Sequence, residues 1–189
     1  MCRIGLAIAL ALPIAVQARA QDLFNKPVYF ETTKSYFEMV QAPAGSSVRG
    51  ADLREIGWER AAGYAASRKF KGVSGRLAVV RTPGTQDFLM RTFKPRERSL
   101  IGLRYYCEYH KLLWVTGEEL PLSNYANWGR PWSVGTACKD NGKYASVFIA
   151  GSNHLVMGEN DRLSTGRWYA TGMLKEFYQF FVEYPTGKP

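Results

Sequence analysis

Two short helices set among short strands, with one long stretch that is neither, predict an α+β domain. Three observations carry the prediction. Trp58, Ala61, Ala62 and Ala65 fall at i, i+3, i+4 and i+7, the spacing that stacks side chains on one helical face. Thr82-Pro83 is a helix start with a mechanism: a hydroxyl that can cap, then a proline at the first position, where its missing N–H is harmless. The stretches "VYFETTKSYFEMVQ" (28–41) and "LIGLRYYCEYHKLLWV" (100–115) are β-branched and aromatic runs interrupted by polar turns.

Taken in order, residues 28–41 read as a hairpin turning through Thr32 to Lys34, and residues 42–55, with Pro, Gly, Ser and charges, as a loop. The first helix begins at Trp58. Its small alanines imply close packing against a flat surface such as a sheet. "GRLAVVRT" follows as a short buried strand, Leu77 to Val80. The second helix runs from Thr82 to about Phe93, with Leu89 and Phe93 sharing its buried face, Phe88 beside them, and Pro95 as its stop. Residues 100–115 give two strands joined by a turn near Glu108 to Lys111. From Gly117 to about Lys143 the pattern is irregular. "YASVFIAG", "HLVMG" and "EFYQFFVEY" then supply three further strand candidates.

Residues 1–20, "MCRIGLAIALALPIAVQARA", have a basic start, an apolar run too short to span a bilayer and an Ala18-Arg19-Ala20 cleavage site. They read as a signal peptide, with an uncleaved anchor as the alternative; the mature chain then starts near Gln21 as one domain over 21–189, secreted or periplasmic. Cleavage takes Arg3 and Arg19 from 25 basic residues and none of the 16 acidic ones, so the charge falls from +9 to +7 and the protein stays basic. No second apolar segment suggests a membrane span. The runs "SRKFKG" and "KPRER" are solvated helix ends or, if they share a face, a patch for acidic partners such as an anionic envelope polysaccharide. Export disfavours nucleic acid. Cleavage also removes Cys2 and leaves Cys107 and Cys138, an even pair in an oxidising compartment: one disulfide, or else two separate thiols.

The sequence "W58-x-x-A61-x-x-x-A65 … GRLAVVRTP … FL … LIGL … LLWVTGE … LSNYANW … GRWYA … FFVEY" resembles the C-type lectin-like domain over most of residues 28–184. Leu100 to Leu103 fit the family's "WIGL", Trp114 to Gly117 its "W-x-DG", and Tyr125 to Trp128 its "Y-x-NW". The resemblance implies two helices packed on short antiparallel sheets with a long irregular loop region, and carbohydrate recognition as the commonest activity. It also exposes departures. The family's cysteines in the first helix and last strand correspond to Ala65 and Val182, both lost together. Its second bond would join a cysteine near Cys138 to one where Met173 stands, which leaves Cys107 as the partner for Cys138.

Calcium in the family is held by a Glu-Pro-Asn type tripeptide after "NW" and by Trp-Asn-Asp, because the ion needs six to eight oxygen ligands, carboxylates foremost. Here those places read "GRPWSVG" and Trp168-Tyr169-Ala170. The expectation is therefore no metal and no cofactor. Glu118 with Glu119, where the long loop begins, and Glu159 with Asp161, on a turn, leave a displaced metal site as the alternative, though clusters of acids on turns are usually solvated. Neither His110 nor His154 has metal-ligand spacing, and Ser152, His154 and Asp161 lack any nucleophile motif, so no enzyme is expected. What remains is a metal-free ligand surface of Asn124, Tyr125, Asn127, Arg130, Trp132 and Tyr169. Amides and guanidinium offer directed hydrogen bonds, and an indole offers flat apolar area. The ligand is a glycan, ranked first, with a protein-interaction or structural domain on the same scaffold as the alternative; Trp132 is either the ligand's anchor or a plug packed on the domain.

Overall fold

The two longest strands fall in the β-branched and aromatic runs near 28–41 and 100–115. β1 (Val28–Phe30) and β2 (Ser35–Gln41) form the first hairpin, and α1 (Trp58–Ser67) follows. Three two-residue strands come next: β3 (Lys69–Phe70), β4 (Val73–Ser74) and β5 (Arg76–Leu77). Then come α2 (Pro83–Phe93), β6 (Ser99–Tyr106), β7 (Lys111–Trp114), β8 (Tyr144–Ile149), β9 (Trp168–Thr171) and β10 (Gln179–Tyr184). The computed structural model describes residues 23–43, 56–121, 123–130, 138, 143–152, 163–172 and 177–189. The expected leader, most of the loop after residue 42, Trp132, the "HLVMG" strand candidate and the Glu159/Asp161 pair lie outside the described residues.

β10 is the axis of the molecule. On one edge it pairs antiparallel with β2, setting Phe180 against Val40, Val182 against Glu38 and Tyr184 against Tyr36. Its other edge is shared between β6, parallel through Gln179 and Phe180, and β5, antiparallel through Val182 and Glu183. All six of its residues are buried, as a strand covered on both faces must be. Phe180, Val182 and Tyr184 point into a core cluster with Trp58, Ala61 and Ala65 of α1, while Phe181 joins a second cluster with Leu89 and Phe93 of α2. One helix thus covers each face of one eight-stranded sheet of order β1-β2-β10-β6-β8-β9, with β5 and β7 branching from it. The expectation of antiparallel sheets holds for every pairing between the named strands except β6 with β10; the isolated bridges Phe24 to Met39 and Trp128 to Trp168 are also parallel.

Gly102 marks the point where β6 changes partners. Its N–H donates to Ala78 O at 2.8 Å and its carbonyl accepts from Val115 N–H at 2.6 Å, so two neighbouring segments close on it from one edge. A Cβ here would stand 2.8 Å from Leu77 O, 3.0 Å from Val115 Cγ1 and 3.1 Å from Ala78 O. Only glycine lets the backbones approach this closely. The same crowding explains why the strand expected at Leu77 to Val80 is regular only to Leu77. Beyond it Ala78 N–H donates to Phe181 O, but Val79 N–H turns to the Glu183 carboxylate instead of a ladder carbonyl.

Both helices lie where the periodicity put them. Ala61 and Ala65 are fully buried, and Trp58 donates its indole N–H to Ile101 O at 3.0 Å, fixing α1 on the sheet. In α2 the Thr82 hydroxyl accepts from Thr85 N–H at 3.1 Å, Pro83 takes the first position, and Lys94 closes the helix in the left-handed region just before Pro95. Ala65 O and Val182 Cγ1 both lie within 3 Å of where a Cβ on Gly75 would stand, so the two positions of the missing crosslink are packed side by side. Two elements were not anticipated. The "SRKFKG" run ends α1 at Ser67 with Arg68 as its cap, as expected, but goes straight on into the β3–β4 hairpin turning through Lys71 and Gly72, and "WYAT" is the edge strand β9.

Candidate ligand-binding loop

Trp168 organises the region between β7 and β8. It is fully buried and sits edge-on to Trp114, Tyr125 and Trp128, with ring centroids 6.1, 5.6 and 5.8 Å away. Such edge-to-face contacts put positive ring edges on negative faces and are favourable beyond the area they bury. Gln86 of α2 accepts the Trp168 indole N–H at 2.8 Å and donates its own amide to Gly166 O at 2.8 Å. The buried indole is thereby satisfied from the opposite helix. The loop is then stitched to β9 by backbone: Trp168 N–H to Asn127 O at 2.7 Å, and Gly129 N–H to Trp168 O at 2.9 Å.

The side chains singled out by sequence divide in two. Asn127 and Tyr169 are engaged within the domain. The Asn127 amide donates to Gly166 O at 2.9 Å and its oxygen accepts from Arg167 at 2.6 Å. The Tyr169 hydroxyl accepts from Ser164 N–H at 2.8 Å, and its ring lies against Gly129 so closely that a Cβ there would collide with it. Asn124 and Arg130 are exposed, and Tyr125 is half-buried. Burial, then the charge of Asp87, raises the Tyr125 pKa above its ordinary value, which keeps the hydroxyl a donor. Trp132 lies outside the described residues. Trp128, read as framework, is half-buried and bridges to Trp168, in keeping with that role.

The acids that begin the long region have partners: Glu118 pairs with Arg81, and Glu119 accepts from Lys111 at 2.8 Å. Among the described residues no three His, Cys, Asp or Glu side chains converge on one point. Cys107, at the end of β6, is bonded to Cys138 with Cα atoms 5.8 Å apart, so the hairpin anchors the far part of the long region. No described helix is long and apolar enough to cross a membrane.

No family model matches the chain, and no curated protein resembles it closely enough in sequence to register. Solved structures do resemble it. The Ca²⁺-independent C-type lectin SPL-2 from Saxidomus purpuratus superposes with a TM-score of 0.55 at 15% identity, covering 86% of this chain and 93% of that one. The carbohydrate-recognition domain of the mouse scavenger receptor C-type lectin gives 0.54 at 17% identity, covering 83% and 93%. The cow C-type carbohydrate-recognition domain of CD23, solved in the presence of a GlcNAc2Man3 oligosaccharide, gives 0.53 at 21% identity, covering 84% and 92%. At these identities the likeness establishes the fold: α+β, C-type lectin-like.

Proposed function

We propose that this C-type lectin-like domain is an exported, non-enzymatic binding module that recognises carbohydrate without calcium. The carrying observation is the loop packed on Trp168, where Asn124, Tyr125 and Arg130 stand at or near the surface in a stretch, 123–135, that contains no carboxylate. A ligand there is held by hydrogen bonds and ring stacking, with no ion bridging its hydroxyls. Asn127 and Tyr169 frame this surface and hold its shape. Trp132 supplies the flat apolar face, and Arg130 favours acidic glycans such as envelope polysaccharide.

A protein partner is the second reading, and one finding favours it. With the Asn127 amide and the Tyr169 hydroxyl bonded inside the domain, the side chains left at or near the surface are Asn124, Tyr125 and Arg130, and Tyr and Arg are residue types enriched at protein hot spots. A glycan array run in the presence of chelator separates the two. Under the carbohydrate reading Trp132→Ala weakens binding by about 1–3 kcal/mol and leaves the fold intact. Arg130→Ala lowers affinity mainly for acidic glycans and flattens its salt dependence. An array with no binder, an unfolded Trp132→Ala, or two variants that bind like the parent would each refute the reading.

A further inference from the structure

A concave feature lies away from the loop, between the β1–β2 hairpin and the end of α1. It is a cleft of about 370 Å³ floored by Glu38, Arg68 and Tyr184 and walled by Asn25, Lys69 and Phe70, with Pro27 at its rim. Glu38 is fully buried. Arg68 grips it through Nη2 on one oxygen and Nε, at 3.3 Å, on the other; Tyr184 donates its hydroxyl to the second oxygen and accepts from Arg68 Nε at 3.2 Å. Every acceptor on the floor is therefore occupied. The donors are not: among the described residues nothing bonds Arg68 Nη1, the Lys69 ammonium or the Asn25 side-chain amide. Lys71 adds a further positive charge nearby, its ammonium 5.0 Å from the Tyr36 ring, which in turn packs on Phe70.

We propose that this cleft is a second binding site, for a small organic carboxylate of monosaccharide size. The chemistry is one-sided. With the Glu38 charge neutralised by Arg68, the surplus charge of the cleft is positive and its free side-chain groups are N–H donors together with the one neutral Asn25 amide oxygen, so an anion finds several partners where a cation finds a single uncharged one. Arg68 is held by its fork on Glu38, so its outer edge is presented without the loss of freedom a loose arginine would suffer. Pro27 and Phe70 give a carbon skeleton something apolar to cover. The volume is at the lower end for ligand sites and suits one ring. The hairpin that shapes the wall is the "SRKFKG" run, so those basic residues line a cleft and are not merely solvated. This site is independent of the loop reading, and a sugar acid, free or at the end of an acidic polysaccharide, carries the group it fits.

The test is titration of isotope-labelled protein with sodium glucuronate, with glucose and inorganic phosphate at matched ionic strength as controls, read by backbone amide shifts. Glucuronate should move residues 25, 26 and 68–71 and leave 123–130 still. Lys69→Ala, an exposed change, should weaken it about tenfold with an unaltered melting temperature, while Arg130→Ala should not affect it. A glucuronate oligosaccharide binding more tightly at the same residues identifies the polymer as the source, and equal affinity identifies the single acid; both uphold the site. Equal binding of phosphate or glucose, shifts confined to 123–130, or a Lys69→Ala protein that titrates like the parent overturns it.

Discussion

Tyr184 is 1% exposed, yet it is one corner of the polar cluster beneath the cleft. Burial, and then its hydrogen bond to Glu38, push its pKa up to about 12, well above the ordinary tyrosine value of 10.0. In the unfolded chain the phenol loses its proton near pH 10, while in the folded protein it keeps it to about pH 12. The folded state therefore holds more protons over that window, and stability falls as pH rises from 10 to 12. Tyr184→Phe should remove this part of the alkaline loss and cost about 1–3 kcal/mol at neutral pH, since Glu38 is left short of a donor. Denaturant melts of both proteins from pH 8 to 12 measure it; parallel curves would show that Tyr184 does not titrate there. None of this was legible. In "SYFEMVQ" Glu38 looks like the outward residue of an amphipathic strand, and Arg68, which buries it, comes 30 residues later. The partners of Asn127 were equally hidden, because an amide in a loop gives no sign that Gly166 and Arg167 will bond it.

Elements whose cause is local were read correctly, and those whose cause is distant were not. α2 was placed by its own cap, proline and apolar spacing. Thr82→Ala should accordingly cost about 1 kcal/mol and lower Tm by roughly 2–4 °C, measurable by thermal melting; an unchanged Tm would mean that the Thr82–Thr85 bond adds nothing over water. β9 has four residues and no clean alternation, and it becomes a strand only because β8, about twenty residues earlier, offers Ser146 to Ile149 as an edge. β3 and β4 are two residues each, too short for any periodicity to register. Their signal was the Lys71-Gly72 pair, in which both residues take positive φ, but the surrounding charge masked it. The Cys107–Cys138 bond was the simple reading of an even pair in an exported chain, with two thiols as the alternative, and the family resemblance pointed to the same pair.

At the scale of the molecule, the helices and most strands were visible one by one, but their order in the sheet was not. Nothing in the sequence of β10 says that it will lie between β2 and β6, or that its pairing with β6 will be parallel. The candidate loop was half legible: its position came from the resemblance, and its division into bonded and exposed side chains came only from the packing on Trp168. The proposed independence from calcium has a whole-molecule signature. An ion stabilises a fold only through affinity for that fold, so Tm should be the same in calcium and in chelator. A fall of several degrees in chelator would show that Glu118, Glu119, Glu159 or Asp161 had gathered an ion. Asn25 N–H donates to Met39 O at 2.9 Å and Gly187 N–H to Lys34 O at 2.8 Å, so residues 25 and 187 are both tied to the first hairpin. The turn at Gly72 is different: it is exposed, and a side chain there would meet nothing within 4 Å. A peptide inserted at that turn interrupts no pairing of the eight-stranded sheet, so the domain can carry a foreign segment there as a display scaffold without repacking its core.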